Sequence, residues 1–125
     1  MNKRILIVED DVVISTMYAS KLQMSGYVVE IVENGADAVM FLSENAVDAI
    51  LMDMMMPVMN GFDAIRMIRS CVPSADTTKI IVFSNLDGEH DRERAQRLGA
   101  DGYIVKSETT PASVVTILNQ LLGVN

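Results

Sequence analysis

The sequence predicts a doubly wound α/β domain, a parallel sheet of five strands with helices on both faces. Strand-like and helix-like segments alternate along the chain in a (βα)5 pattern. Three strand-like segments, 5–8, 49–52 and 80–83, are unbroken apolar runs, as in parallel strands that helices cover on both faces. Right-handed crossovers would join such strands. Polar residues follow these runs, and doubly wound proteins bind ligands beyond the carboxyl ends of their strands.

The first two strand and helix pairs are marked by apolar spacing and by end signals. We expect strands at 3–8 and 27–32. The helix between them, 12–25, stops at Gly26, because glycine readily ends a helix. Its apolar residues recur at helical spacing, at Ile14, Met17, Tyr18 and Leu22. Asn34 can cap a second helix, since its side chain can accept a hydrogen bond from the first helical turn. That helix carries Ala38, Val39 and Leu42 on one face.

The third strand is expected at 48–53, and the fourth at 79–84. Between them a loop closes at Gly61, and a short helix covers 62–70. The apolar spacing of this helix turns three residues toward the core: Phe62, Ile65 and Ile68.

The last two helices flank the fifth strand, which is expected at 102–105. The helix at 88–98 is mostly polar and ends at Gly99. Thr110 caps the final helix and Pro111 occupies its first position, where proline is well tolerated. The apolar side of that helix consists of Val114, Leu118, Leu121 and Leu122.

Composition limits the classes of protein to consider. A length of 125 residues suits one core, so we expect one domain over 1–125. Half of the residues are hydrophobic, but no apolar stretch is long enough to span a bilayer. A net charge of -7 disfavours direct binding to nucleic acid. Cys71 is the single cysteine, which excludes an internal disulfide and favours a reducing, cytoplasmic location.

Polar residues follow four of the five strands. The run Glu9-Asp10-Asp11 follows the first strand and Asp53 the third, while Ser84 ends the fourth and Lys106 follows the fifth. Carboxylates gathered at one edge repel one another unless a cation lies among them, and oxygen ligands suit Mg²⁺. A carboxylate beside Mg²⁺ can attack phosphorus, and a hydroxyl and an ammonium can hold the phosphoryl oxygens. These residues therefore predict metal-assisted phosphoryl chemistry.

Taken together, these motifs resemble the receiver domain of the two-component response regulator family, of which the bacterial chemotaxis regulator is a simple member. Five matching features extend over nearly the whole chain: 9–11, Asp53 together with 56–61, Ser84, 99–103 and Lys106. Each is weak alone, but five in order at successive strand ends are specific. The resemblance implies a flavodoxin-like strand order of 2-1-3-4-5. It also implies phosphorelay signal transduction, not enzymatic turnover of an external substrate.

The resemblance assigns a role to each residue at the acidic edge. Asp53 would accept the phosphoryl group from a phosphohistidine on a partner histidine kinase or phosphotransfer protein. Asp11 and Asp53 would bind Mg²⁺ directly, together with the backbone carbonyl of Met55. Asp10 would act mostly through a bound water. A simpler role for the pair Asp10-Asp11, as the N-cap of the first helix, stays open.

The resemblance also implies how a phosphorylated form would signal. Lys106 would contact the phosphoryl group, and Ser84 would hydrogen-bond it. Tyr103 would be an aromatic switch that turns inward when Ser84 moves. The face formed by the helix at 88–98, the fifth strand and the last helix would then change. A downstream effector domain or protein would bind there, and dimerisation through this face is left open.

The sequence departs from the family pattern around the cavity. Ser107 follows Lys106 where the family usually has proline, so a trans peptide is an option here. Asn85 follows Ser84 where a small residue is usual, and it could narrow the cavity or bond the phosphoryl group. Met55 and Leu86 are apolar, and we expect them to shield an acyl phosphate and to slow self-dephosphorylation. Polar replacements at both positions should speed phosphate loss.

Other functions are weighed against this one. A receiver-like binding module without phosphoryl transfer is kept open by Asn85 and Ser107. A phosphatase of the haloacid dehalogenase type needs an aspartate two residues after its nucleophile, where Met55 stands. A flavin or dinucleotide carrier lacks support, because acids follow the first strand instead of a glycine-rich loop. Whether the chain stands alone or is excised from a longer protein is left open.

Overall fold

The doubly wound α/β fold predicted from the sequence is confirmed by a computed structural model that describes residues 2–124. Five parallel strands form one sheet in the order β2-β1-β3-β4-β5, and helices follow the strands in alternation. The strands are β1 (Arg4–Val8), β2 (Val28–Val32), β3 (Ala49–Met52), β4 (Lys79–Ser84) and β5 (Gly102–Val105). The helices are α1 (Val12–Met24), α2 (Gly35–Glu44), α3 (Gly61–Cys71), α4 (Glu89–Leu98) and α5 (Pro111–Leu122).

The sheet separates two hydrophobic cores. Successive residues of β1 point to opposite faces, as strand geometry requires. Leu6 and Val8 pack with α2, α3 and α4 on one face, whereas Ile5 and Ile7 pack with α1 and α5 on the other. Both faces are therefore covered, which explains why the central strands are apolar without alternation.

Hydrogen-bonding side chains fix where several helices begin. Asn34 caps α2 and Thr110 caps α5, as predicted. Asn60 caps α3 by accepting from the Asp63 N–H, so this helix begins at Gly61, one residue before the predicted start. The end of α4 at Gly99 is also as predicted, and this glycine adopts a left-handed conformation with φ 113°.

Two short 3₁₀ turns, Pro73–Ala75 and Lys106–Glu108, were not predicted from the sequence. The second directly follows β5 and begins with a residue of the candidate site. No helix within residues 2–124 combines the length and apolar character that crossing a bilayer requires.

Candidate functional site

A cavity of about 320 Å³ lies at the carboxyl ends of the central strands. The residues to which the family resemblance assigned a metal or phosphoryl contact all line it: Asp10, Asp11, Asp53, Met55, Ser84 and Lys106. The parallel register explains this convergence, since Val8 pairs with Met52 and Ser84 with Val105. The residues that follow these strands therefore leave the sheet at the same edge.

Three carboxylates come together inside the cavity. Glu9, Asp10 and Asp53 can each place one oxygen within 4.8 Å of the other two. Glu9 and Asp53 are buried and Asp10 is exposed. Glu9 belongs to the acidic run recognised in the sequence, but it was not predicted as a ligand. The position of Glu9 directly after the apolar run of β1 could have identified it. Its backbone N–H donates to Val32 O at 3.0 Å and so continues the hydrogen bonding between β1 and β2.

Asp11 lines the cavity and also caps the first helix. Its Oδ1 accepts hydrogen bonds from the backbone N–H groups of Val13 at 3.0 Å and Ile14 at 3.2 Å, so it caps α1. Its own N–H donates to Glu9 Oε2 at 3.1 Å. The expected ligand set of Asp10, Asp11 and Asp53 therefore stays a prediction, and the structure adds Glu9 beside Asp10 and Asp53.

Asp53 is held at the tip of β3 by the backbone around it. Its N–H donates to Val8 O at 3.0 Å, and its Oδ1 accepts from the Met55 N–H at 3.2 Å. The loop returns close to this point at Gly61, where an added Cβ would lie 2.5 Å from the Asp53 carbonyl oxygen. Only glycine fits there, so the packing of Gly61 helps to fix the Asp53 backbone.

Lys106 reaches into the cavity from the end of β5. Its Nζ contacts Glu9 Oε1 and lies 3.3 Å from Asp53 Oδ2, and its side chain is 13% exposed. Burial disfavours the charged ammonium, but the contact with Glu9 and the charge of Asp53 outweigh it, so the pKa of Lys106 is raised. Lys106 is therefore a fixed positive charge beside Asp53.

Glu9 carries negative charge that its surroundings only partly balance. Burial raises the pKa of Glu9 to about 7, although its bonds with Lys106 and the Asp11 N–H act in the opposite direction. Its buried Oε1 forms an ion pair with Lys106. Three carboxylates share this one ammonium, so a further cation would compensate the remaining negative charge.

Ser84 and Tyr103 are connected through one residue of the loop after β4. Ser84 is fully buried, and its Oγ accepts from the Leu86 N–H at 3.3 Å. The Tyr103 hydroxyl donates to the carbonyl of the same Leu86 at 2.6 Å. Tyr103 does not line the acidic cavity but a second one of about 240 Å³ beside α4 and β5, where the Arg92 guanidinium lies 4.6 Å from its ring centre.

The departures from the family pattern lie at the cavity mouth. Asn85 lines the cavity, and its Oδ1 accepts from the Ser107 N–H at 2.9 Å. The described residues contain no cis peptide, so the peptide between Lys106 and Ser107 is trans. Met55 is 62% exposed at the rim. Leu86 packs against the core on the α3 side and is not among the residues that line the cavity, so a shielding role suits Met55 better.

Comparison with known families and curated proteins gives one consistent result. A family model described as "Response regulator receiver domain" matches residues 5–118. The response regulator MprA of Mycobacterium sp. (strain KMS) is 33% identical over 106 residues, which are 85% of this chain and 45% of that protein. The chain thus spans less than half the length of the curated relatives it matches first.

Solved structures agree with this result. The chemotaxis response regulator CheY4 of Vibrio cholerae superposes with a TM-score of 0.90 at 27% identity, over 98% of this chain and 100% of that chain. The receiver domain of the sensor histidine kinase PA1611 from Pseudomonas aeruginosa gives a TM-score of 0.88 at 32% identity, over 98% and 99% of the two chains. That structure has a magnesium ion coordinated in its active-site cleft.

Proposed function

We propose that this chain, which belongs to the response regulator receiver family, takes up a phosphoryl group on Asp53 with the help of a divalent cation. It is a signalling phosphoacceptor module and not a classical enzyme. The observation that carries the choice of Asp53 is its geometry. Asp53 is buried beside two further carboxylates, and the Lys106 ammonium lies 3.3 Å from its Oδ2.

The residues present fit Mg²⁺. Glu9, Asp10 and Asp53 offer carboxylate oxygens, the ligand type that Mg²⁺ prefers, and a single ammonium balances them only in part. We infer that these three residues and the Met55 carbonyl hold the ion, with Asp11 kept as the cap of α1. The magnesium ion in the related PA1611 receiver domain supports this choice of metal.

The chain's own residues then have separable tasks in the transfer. When bound, the metal would neutralise the phosphoryl oxygens and so lower the barrier to attack by an anion. A carboxylate oxygen of Asp53 attacks phosphorus and forms the new P–O bond, while the P–N bond to the donor histidine breaks. The bonding electron pair stays on that nitrogen, and the donor leaves as a neutral imidazole whose other ring nitrogen already carries its proton. Lys106 holds one phosphoryl oxygen through Nζ. Ser84 hydrogen-bonds another after its Oγ turns toward the cavity.

The connection through Leu86 gives this modification a route to the surface. If Ser84 Oγ turns toward a phosphoryl oxygen, the Leu86 N–H loses the acceptor it has here. The Leu86 carbonyl holds the Tyr103 hydroxyl, so a shift of this peptide moves the ring and Arg92 stacked on it. The face of α4, β5 and α5 would thus differ between the two forms. A modification acts in this way by shifting populations.

We propose the classes of partner and the cellular location that this function requires. The donor is a histidine kinase or a phosphotransfer protein, and the recipient of the signal is an effector domain or protein that binds the α4, β5 and α5 face. Such partners act in the cytoplasm. The length of the curated relatives beyond the matched region is consistent with effector domains in those proteins.

Phosphorylation by a small donor tests the proposed function. The purified protein is incubated with acetyl phosphate and Mg²⁺, and intact mass is followed with time. The wild type should gain one phosphoryl group, Asp53→Ala should gain none, and chelation of Mg²⁺ should abolish the gain. Asp63→Ala is the matched control, since Asp63 is a half-buried aspartate of α3 that does not line the cavity. A wild type that stays unmodified would favour a binding module without phosphoryl transfer.

A further inference from the structure

The loops that follow β4 and β5 are joined by one side-chain hydrogen bond at the cavity mouth. Asn85 Oδ1 accepts from the backbone N–H of Ser107 at 2.9 Å. Asn85 is the first residue after β4, and Ser107 is the second residue after β5. The bond therefore crosses between two segments that are 22 residues apart in sequence.

Sheet register brings these two residues together. Ser84 and Val105 are paired in the parallel ladder between β4 and β5. Asn85 and Lys106 follow this last pair side by side, and the Asn85 side chain spans one more residue to reach Ser107. The pairing of β4 with β5 alone therefore makes the two loops neighbours. The hydrogen bond from Ser107 to the Asn85 side chain then fixes their relative position.

The bond also supplies a missing helix cap. Lys106–Glu108 forms a 3₁₀ turn whose own preceding residue, Val105, makes no side-chain cap hydrogen bond. The first N–H groups of a helical turn have no partner within the turn and need an acceptor from elsewhere. Asn85 provides that acceptor to Ser107 from the neighbouring loop.

Lys106 is the residue that this arrangement affects most. Its backbone begins the 3₁₀ turn, and its side chain runs inward to Glu9 and Asp53. A lysine ammonium is a point charge on a flexible stem, so its position depends strongly on the direction in which the backbone sends it. An anchor at Ser107 fixes that direction one residue away.

We propose that Asn85 is a positioning residue for Lys106, and that its bond to the Ser107 N–H directs the ammonium toward Asp53. The kinetic consequence rests on the proposed phosphoryl transfer to Asp53. The bond is exposed, so its contribution is that of one ordinary hydrogen bond in contact with water. Asn85 does not itself need to touch the phosphoryl group for this role.

Two variants separate the bond from the exposed hydroxyl of Ser107. Asn85→Ala removes the acceptor, so it should slow phosphorylation by acetyl phosphate about twofold to fivefold. Ser107→Ala keeps the N–H and changes only the exposed hydroxyl, so its rate should equal that of the wild type. The rates are measured from intact mass at saturating Mg²⁺. If Asn85→Ala matches the wild-type rate, the proposal is overturned.

A second background distinguishes positioning from general structural support. In Lys106→Ala there is no ammonium to direct, so adding Asn85→Ala should cause no further loss of rate. A further loss of the same size in both backgrounds would contradict the proposal, because a structural role does not depend on the ammonium.

NMR spectroscopy tests the hydrogen bond between Asn85 and Ser107 in the absence of phosphoryl transfer. In the unmodified protein, Asn85→Ala should move the Ser107 amide proton resonance upfield, as expected on losing an acceptor, and should shift the Lys106 Cε resonance. Unchanged Ser107 and Lys106 signals would overturn the proposal even if the protein is never phosphorylated. Changed signals in a protein that takes up no phosphoryl group would overturn the proposed function and leave the positioning intact.

Discussion

At the scale of single residues, Glu9 dominates the electrostatics of the acidic cavity. Its side chain is almost fully buried, it touches Lys106, and it lies beside Asp10 and Asp53. Burial raises its pKa to about 7, so its protonation changes within the ordinary range of pH. A carboxyl group must lose its proton before it can bind a metal. Metal binding and the charge of Glu9 are therefore linked.

Binding of Mg²⁺ should depend on pH because of Glu9. The pKa of Glu9 is about 7, so its carboxyl is mostly protonated at lower pH and mostly ionised at higher pH. The affinity for Mg²⁺ should therefore rise with pH. Between about pH 6 and about pH 8 the apparent affinity should increase about tenfold. Titration calorimetry of the unmodified protein measures this. Glu9→Gln should bind more weakly with little dependence on pH in this range, and an equal slope in both proteins would contradict the assignment.

Val58 occupies a backbone conformation that its side chain disfavours. Its φ is 70° and its side chain is 82% exposed, so no buried contact compensates the strain. Left-handed geometry costs a residue with a Cβ about 1–2 kcal/mol. Val58→Gly should therefore raise the free energy of unfolding by about 1 kcal/mol, measured by urea denaturation. Val58→Ala keeps the Cβ and should give a smaller gain. Loss of stability in Val58→Gly would show that the strain is absent.

Single residues also mark where the sequence was insufficient. It identified the acidic run, Asp53, Ser84 and Lys106, because each follows an apolar run. The sequence did not reveal which of the three consecutive acids continues the hydrogen bonding of the strand. The Glu9 N–H continues the strand ladder, whereas Asp11 begins the helix, and this change of direction within two residues depends on tertiary structure. For the same reason the contact between Asn85 and Ser107 was not foreseen, although each had been singled out.

At the scale of elements, one arginine joins four segments at the end of the sheet opposite the cavity. Arg69 in α3 donates to Gly99 O through Nε at 3.1 Å and to Ala75 O through Nη1 at 2.8 Å. Its Nη2 bonds Asp101 Oδ2 at 2.9 Å, and the same oxygen accepts from the Ile80 N–H. Arg69 thus ties α3 to the first 3₁₀ turn, the end of α4 and the segment before β5.

Loss of this network should destabilise the fold. Arg69→Met keeps an apolar stem but leaves two carbonyls without their donor, which should lower the free energy of unfolding by about 2 kcal/mol. Arg66→Met is the control on the same helix, because the Arg66 side chain is 64% exposed and pairs only with Asp63 at the surface. It should change stability by less than about 0.5 kcal/mol. Urea denaturation of both variants measures the difference, and equal losses would contradict this account.

Helix α4 is the most weakly anchored of the five helices. Ala95 is its single fully buried residue, whereas α3 buries Phe62, Ile65 and Ile68. The mostly polar sequence of α4 agrees with this weak anchoring. Helix and strand positions were predictable to within one or two residues, because apolar spacing and end signals are local. The 3₁₀ turn at Lys106–Glu108 was missed because its cap comes from another loop.

At the scale of the whole molecule, alternation of strands and helices was enough to predict a doubly wound sheet. The strand order followed from the family resemblance, since local patterns do not determine which strands are neighbours. The observed order of β2-β1-β3-β4-β5 places the ends of β1, β3, β4 and β5 around one cavity. The proposed function depends on this arrangement of strand ends around the cavity, because no single residue of the site indicates the function by itself.

The most direct test of the central claim is to identify the residue that carries the phosphoryl group. Borohydride reduces an aspartyl phosphate to homoserine and leaves free carboxylates unchanged. After treatment with acetyl phosphate, Mg²⁺ and borohydride, the protein is digested and its peptides are sequenced by mass spectrometry. We expect homoserine at position 53 and at no other aspartate. Homoserine at Asp10 or Asp11, or an unreduced Asp53 in a protein that has gained a phosphoryl group, would contradict the account.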